Sequence, residues 1–199
     1  MTAMEPPIET ERLILREFLS EDGEEVHAYA RDLEVVRYLD WGPNTPEETR
    51  AYIDRAIRSS REQPRRTYEL AVIFKPTGAL VGSAALRLDP LAPFTAELGY
   101  VLHRLAWGQG LGTELVRALV RSAFLDLQVR RVWAQCRPEN VGSCRVMKKA
   151  GLRFEEYLQN RRTLRGEWVD SYLCGITRRD WLHAQSRPAE ASGRPGTDC

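Results

Sequence analysis

Five residues, Gly108-Gln109-Gly110-Leu111-Gly112, constrain this chain more than any other stretch. An extended segment, Ala96 to Leu102, precedes them, and a helical apolar period from about Gly110 to Phe124 follows. Glycines at such a junction let the backbone turn tightly and let a ligand approach the amides. The first turn of the helix then offers unpaired N–H groups and the positive end of its dipole, a cradle for phosphate. Two common phosphate readings fail. The ATPase loop needs Gly-Lys before Ser or Thr, and Gly112 is followed by Thr113-Glu114. A dinucleotide fingerprint opening at Gly108 needs its third glycine at position 113. That glycine falls at 112, and no convincing βαβ unit surrounds it.

The chain has 199 residues, enough for one domain with a sizeable core and cramped for two. With 29 basic and 28 acidic side chains, composition gives no overall pull toward nucleic acid or membrane. No stretch has the length and apolarity of a membrane span. Met1 to Thr10 lacks the apolar centre of a secretory signal, so a cytoplasmic location is expected. The cysteines at 136, 144, 174 and 199 and the histidines at 27, 103 and 183 lack metal-ligand spacing, so no metal is expected. Cys144 has no recognisable histidine partner and reads as a buried small side chain rather than a nucleophile.

Taken in order, Glu11 to Phe18 alternates as a first strand, with Leu13, Leu15 and Glu17 on one face and Ile14, Arg16 and Phe18 on the other. Ser20 to Ala30 and Asp32 to Leu39 read as short helices. Thr45-Pro46-Glu47-Glu48 opens a longer helix, with threonine as cap, proline in the first turn and Glu48 completing a capping box. Tyr68–Phe74, Ala79–Leu88 and Phe94–Leu102 form an antiparallel meander, with Leu80, Gly82 and Ala84 on one face of its second strand. After the helix beyond the glycines come a strand (130–136), a helix (141–150) closed by Gly151, and two strands (152–157 and 168–176). A long basic hairpin around Asn160 to Gly166 joins those strands, and a short helix follows from Arg178. Residues 186–199 are rich in Pro, Gly and Ser and read as a disordered tail. The domain plan is therefore a flexible N-terminus (1–9), one domain (10–185) and the tail (186–199).

Trp107-Gly108-Gln109-Gly110-Leu111-Gly112-Thr113-Glu114 resembles the acyl-CoA pyrophosphate loop of the GNAT N-acetyltransferase superfamily, whose pattern is Arg/Gln-x-x-Gly-x-Gly/Ala. Gly110 and Gly112 match its glycines, and Trp107 departs from its Arg/Gln position. Asn140-x-x-Ser143 followed by Lys149-Ala150-Gly151-Leu152-Arg153-Phe154 is a second signature of that resemblance, and Trp107–Glu114 together with the Thr10-Glu11-Arg12-Leu13 opening resembles more specifically the ribosomal-protein N-terminal acetyltransferase branch. The resemblance covers about residues 10 to 178. It implies a mixed α/β GNAT-like fold, a mostly antiparallel twisted sheet flanked by helices. It also implies transfer of acetyl from acetyl-CoA to a primary amine, with no metal.

Carried onto this sequence, the resemblance assigns backbone groups from Trp107, Gly108, Gln109, Gly110, Leu111 and Gly112 to the pyrophosphate. The strand edge at Tyr100, Val101 and Leu102 pairs with pantetheine, and an N–H near Val101 or Leu102 receives charge developing on the thioester oxygen. Asn140 offers a donor and an acceptor to pantetheine, and otherwise caps the following helix. Arg145, Lys148 and Lys149 are candidates for the adenosine phosphate. Glu97 is the candidate acceptor of the amine proton, with Glu17 competing. Ser143 is the candidate partner of the leaving thiolate. In the wider superfamily a tyrosine seven residues past the asparagine has that task, and Met147 stands there in this chain. Trp41, Tyr52 and Glu17 are the acceptor-side candidates, and His103 is given a lining or structural role.

The acceptor is expected to be a protein N-terminus or a small-molecule amine such as a polyamine, amino acid or aminoglycoside. A catalytically quiet acyl-CoA-binding module is the alternative class. Nucleic-acid binding through Arg161, Arg162 and Arg165 ranks third, because no stacking aromatics accompany them. The region of Trp168, Tyr172 and Leu173 is the candidate surface for a homodimer.

Overall fold

The computed structural model describes residues 4–92, 94–164 and 167–186. In chain order the strands are β1 (Ile8–Glu9), β2 (Leu13–Glu17), β3 (Thr67–Phe74), β4 (Ala79–Leu88), β5 (Thr95–Leu102), β6 (Arg131–Cys136), β7 (Arg153–Leu164) and β8 (Glu167–Thr177). They form one sheet in the order β1-β2-β3-β4-β5-β6-β8-β7. Every neighbouring pair is antiparallel except β5 and β6. The helices are α1 (Gly23–Ala30), α2 (Leu33–Val36), α3 (Pro46–Ser60), α4 (Leu111–Leu125), α5 (Val141–Lys149) and α6 (Arg178–Ser186). This is the expected mixed α/β fold. No helix among the described residues is long and apolar enough to cross a membrane.

Two cores lie on opposite faces of the sheet. On one face α4 buries Leu111, Leu115, Leu119 and Phe124 against Leu13, Leu15, Leu70, Leu86 and Leu98, and Met147 joins from α5. On the other, Val26 and Tyr29 of α1 and Ile53 and Ala56 of α3 pack on Phe18, Ala71, Ile73 and Leu80. Strand alternation sends successive side chains to these two layers.

The start of α3 follows its sequence signature. Thr45 Oγ1 accepts the Glu48 N–H at 3.2 Å, Glu48 Oε2 accepts the Thr45 N–H at 2.7 Å, and Pro46 occupies the first helical position. The entrance to α1 is held by charge instead. Asp22, 2% exposed, receives both terminal nitrogens of Arg16 at 2.7 Å and the Leu19 N–H at 2.8 Å. Burial opposes the Arg16 charge less than Asp22 favours it, so its pKa is raised, with the Asp22 hydrogen bond as the largest cause.

Several expectations are corrected. The β3–β4 register moves from Val72↔Gly82 to Ile73↔Leu80, which leaves Val81 bulged. Leu80 therefore packs with the α1–α3 layer while Ala84 packs with α4, not on one face as strict alternation predicts. Glu25 Oε1 accepts the Leu80 N–H at 3.0 Å beside that bulge. At the N-terminus, expected to be flexible over residues 1–9, Ile8–Glu9 pairs with β2 and Met4 is buried. The last two strands run on through most of the expected 160–166 loop, with Asn160 at positive φ where the register shifts. Arg165 of the basic hairpin and tail residues 187–199 lie outside the described residues. At the suggested dimer surface Trp168 is exposed, whereas Tyr172 is half-buried with Phe154 and Tyr157 against its ring.

Asp22→Ala strips Arg16 of its buried partner and leaves the Leu19 N–H unmatched. Arg16 retains some solvent access, so the expected loss is about 2–3 kcal/mol, below the cost of orphaning a fully buried charge. For a chain of this size that is a fall in Tm of about 5–10 °C. Thermal unfolding followed by circular dichroism checks it, and a fall under about 1 °C would show that the pair carries no stability.

Candidate functional site

The sheet opens between β5 and β6. Along β4, β5 is paired from Ala96 to Leu102. Along β6 it is paired only at Thr95↔Arg131, Ala96↔Val132 and Glu97↔Trp133. From Leu98 onward that edge of β5 has no strand partner, while β6 continues to Cys136 against β8. The gap leads into a cleft of about 1730 Å³ that reaches both faces of the sheet. Leu98 to Leu102 line one wall and Ala134 to Cys136 the other. Glu97 sits at the apex.

The glycine loop closes one end. Gly108 and Gly110 have φ of +72° and +79°, the left-handed region that glycine enters without penalty. Gly110 is the residue before α4. Among the described residues no protein acceptor meets the N–H groups of Gly108, Gln109 and Gly110. The first-turn amides of Leu111 and Gly112 have no intrahelical acceptor either. Trp107, Gly108, Gly110, Gly112 and Thr113 line the cleft. Gln109 and Leu111 do so with neither side chain. Gln109 Nε2 donates back to the Leu105 carbonyl at 2.6 Å, and Leu111 is buried in the core. For these two only the backbone remains as a contact.

This loop is anchored from behind. Arg12 donates to the Gln109 carbonyl at 2.9 Å and pairs with Glu114 in the first turn of α4 at 2.7 Å. Thr10 Oγ1 donates to the same carboxylate at 2.6 Å. Burial works against the Glu114 charge, but Thr10 and Arg12 outweigh it and hold this carboxyl below its ordinary pKa. Trp107, the departure from the family pattern, donates its indole N–H to the Leu102 carbonyl at 2.8 Å. That bond takes the Leu102 carbonyl out of the set expected to meet pantetheine. His103 has the expected structural role, its Nδ1 accepting the Leu105 N–H at 3.1 Å.

On the α5 side, Asn140 Oδ1 accepts the Ser143 N–H at 3.1 Å, the helix cap that the sequence left as the alternative to a cofactor contact. The cap uses its oxygen and not its NH₂. Ser143 Oγ lies 2.9 Å from the Tyr100 hydroxyl across the cleft floor. Arg145 and Lys149 line the cleft, and Lys148 does not. Around the helix 149 lies about 40° to one side of 145 and 148 about 60° to the other, and the cleft is on the 149 side. Met147 is buried. Cys144, expected to be buried, is half-buried, and its Sγ lies 3.3 Å from Cys136 Sγ. Burial first, then Cys144, pushes the Cys136 thiol pKa upward.

On the α1–α3 face, the register puts Glu97 beside Arg87 of β4. Arg87 Nη2 pairs with Glu69 Oε1 at 2.6 Å, and the Tyr52 hydroxyl donates to Glu69 Oε2 at 3.2 Å. Burial opposes the Arg87 charge, but Glu69 and Glu97 together raise its pKa. Burial, then Glu69, raises Tyr52 well above the ordinary phenol value. Trp41 lines the same end from the loop before α3. Glu17 does not belong here. It pairs in register with Leu70, whose side chain enters the α4 core, and its carboxylate is held by Arg65 at 2.7 and 3.1 Å. Sequence reasoning missed Glu69 and Arg87. Their signal is a lone charge in each of two apolar strands, which only the register brings together.

The GNAT acetyltransferase domain model matches residues 12–153. YnaD, an uncharacterized N-acetyltransferase of Bacillus subtilis, is 29% identical over 174 residues, covering 87% of this chain and 98% of its own. The [ribosomal protein uS5]-alanine N-acetyltransferase of Escherichia coli is 29% identical over 84 residues, 42% of this chain and 43% of its own. The crystal structure of a GNAT-family acetyltransferase from Bacillus anthracis matches with a TM-score of 0.76 at 30% identity, covering 85% of this chain and 97% of that one. The family match runs from the residue before β2 to the first residue of β7 and so contains the parted strands, the glycine loop and α5. The chain therefore belongs to the GNAT superfamily, as an N-acetyltransferase whose relatives include the ribosomal-protein acetyltransferases.

Proposed function

We propose that this enzyme transfers acetyl from acetyl-CoA directly to the N-terminal amine of a protein. The observation that carries the reading is the row of unmatched N–H groups at Gly108–Gly112 opening on a cleft whose apex holds Glu97. The residues fit the donor. The glycine-loop amides and the dipole of α4 suit a pyrophosphate. The unpaired edge of β5 suits the amides of pantetheine. Asn140 Nδ2 adds a donor, and Arg145 with Lys149 supplies positive charge for a further phosphate. Lys148 has no part in this assignment.

When bound, acetyl-CoA supplies the activated acyl group, and the work left to the protein is positioning and proton transfer. An amine with a pKa of about 8 is mostly protonated at neutral pH and must lose a proton to attack. Glu97 receives it, directly or through one water. Arg87 and Glu69 form the charged floor beside it, and Trp41 and Tyr52 wall the acceptor end. The Leu102 N–H, on the edge of β5 that turns away from β4, donates to the thioester oxygen as charge develops there. The protein N-terminus as acceptor draws support from the uS5-alanine relative, whose match spans less than half of either chain. The 10–185 segment acts as one catalytic domain in this reading.

An acetyl-CoA turnover screen across peptide N-termini and small amines tests the acceptor. Fast transfer to polyamines or aminoglycosides with none to peptides would assign the small-molecule class instead. At the loop, G110A forces a side chain into the left-handed region at a cost of about 1–2 kcal/mol. CoA affinity, by calorimetry, is expected to fall at least about tenfold in the folded variant, and unchanged affinity would remove the loop from the site. W41A is expected to change the ranking of acceptors while CoA affinity stays within about twofold.

Glu97→Gln removes the proton acceptor at nearly constant volume. Turnover at neutral pH is expected to fall by about 10²–10⁴-fold, with CoA binding little changed. Since the unprotonated amine fraction grows with pH, the deficit shrinks as pH rises through about 8. Wild-type turnover by E97Q, with chemistry limiting, would leave Glu69 or water as the acceptor.

A further inference from the structure

We infer that the Tyr100 side chain is the hydrogen-bond donor to the departing CoA thiolate, and that Ser143 positions it. This inference rests on the acetyl-CoA reading above. It departs from the sequence-based expectation, in which Tyr100 contributes only its strand edge and Ser143 meets the sulfur.

Tyr100 lies on the unpaired stretch of β5, three residues past the apex at Glu97, and lines the cleft. Its register partner is Ala84 and its side chain packs with the α4 layer, the face opposite Glu97. Across the cleft its hydroxyl meets Ser143 Oγ at 2.9 Å and donates to the Ser143 carbonyl at 3.4 Å. Ser143 is itself fixed, since its N–H donates to the Asn140 cap. The two hydroxyls carry two protons and need one for the bond between them. With Ser143 donating to the phenol oxygen, the phenol O–H is held only by its long 3.4 Å bond to the Ser143 carbonyl, which it can exchange for an acceptor in the cleft.

Acidity separates the two hydroxyls. A phenol has an ordinary pKa of about 10, near that of a thiol at about 8.5, whereas an aliphatic alcohol is far weaker. The phenol is therefore the stronger donor to a thiolate. Burial raises the Tyr100 pKa further, with the Ser143 bond acting the other way, so the phenol keeps its proton at neutral pH. It stabilises the thiolate by donation and is not consumed. Met147, buried on the same helix as Ser143, has no proton to give.

The step balances without another reactant. The amine lone pair forms the C–N bond and the C–S pair leaves on sulfur. The ammonium gives its first proton to Glu97 before attack; the second proton leaves nitrogen after the C–N bond forms and reaches sulfur through water as CoA departs, so one proton is released in all.

The experiment titrates the thiol of bound CoA by thiolate ultraviolet absorbance, in the wild type, Tyr100→Phe and Ser143→Ala. In the wild type, bound CoA should titrate below free CoA. Tyr100→Phe is expected to raise the bound pKa by about one unit, a tenfold change in acid dissociation. Ser143→Ala should give a smaller rise, because Tyr100 remains. In turnover, Tyr100→Phe should lower kcat by about 10–100-fold, with KM for acetyl-CoA within about threefold. A Tyr100→Phe protein that binds CoA with an unchanged thiol titration overturns this inference alone. A larger rise for Ser143→Ala than for Tyr100→Phe gives the sulfur contact to serine and likewise overturns it. If the folded wild type does not bind CoA, this inference and the acetyl-CoA reading fall together.

Discussion

The parallel pairing of β5 with β6 stops after three residues, and the site depends on that interruption. A continuing pair would satisfy the N–H and C=O groups that alternate residues from Leu98 to Leu102 turn away from β4, and would close the cleft. Interrupted, it leaves a polar strand edge that water or a ligand must satisfy, because buried unmatched groups cost about 1–3 kcal/mol each. Both strands are held open from outside. β5 is tied to β4 along its length, and His103, just past its end, donates to the Val81 carbonyl at 2.7 Å. The Trp107 indole fixes the Leu102 carbonyl. β6 is held by six register pairs with β8. Neighbouring hydrogen bonds thus hold the two strands apart.

The same economy appears at the glycine loop. A loop that presents its amides to a ligand cannot use them to hold itself, so its rigidity must come from carbonyls and from residues nearby. Arg12 and Thr10 provide this by joining the start of β2 to Glu114 and to the Gln109 carbonyl. Gly112 adds a packing constraint. A Cβ there would come within 3.1 Å of Val146, so α4 and α5 approach closely where the loop ends.

How legible a feature was in the sequence depended on how local its cause is. The Thr45–Glu48 capping box, the glycine loop and the Asn140 cap are set within four or five residues, and each forms as its residues suggest. The β4 faces depend on a bulge whose cause is distributed over Glu25, His103 and the β3 register, and alternation alone misplaces Leu80. Glu17 shows the same limit in a different form. It lies on the same face as Leu13 and Leu15, as its alternation suggests, but Trp41 and Tyr52, proposed with it for the acceptor, lie on the other face, and its partner Arg65 is 48 residues away in sequence. Of the two lysines named for the phosphate, Lys149 lines the cleft and Lys148 does not, a difference of one position that on a helix is about 100° of rotation. Glu69 and Arg87 were invisible for a third reason. A lone charge in a strand looks solvated until a register 18 residues away gives it a partner.

Strand parity also organises the proposed chemistry. Glu97 and Tyr100 are an odd number of residues apart on one strand, so their side chains leave on opposite faces of the sheet. Glu97 faces the α1–α3 layer with Arg87, while Tyr100 faces α4 and α5 with Ser143. An acyl carbon held at the parted edge between them would take the amine from one face and release sulfur toward the other. A carboxylate next to the developing thiolate would oppose it by like-charge repulsion. Putting the proton acceptor and the sulfur partner on opposite faces removes that conflict without any extra side chain. A step of three positions along β5, placed where its partner strand turns away, would be enough to separate the two ends of the reaction.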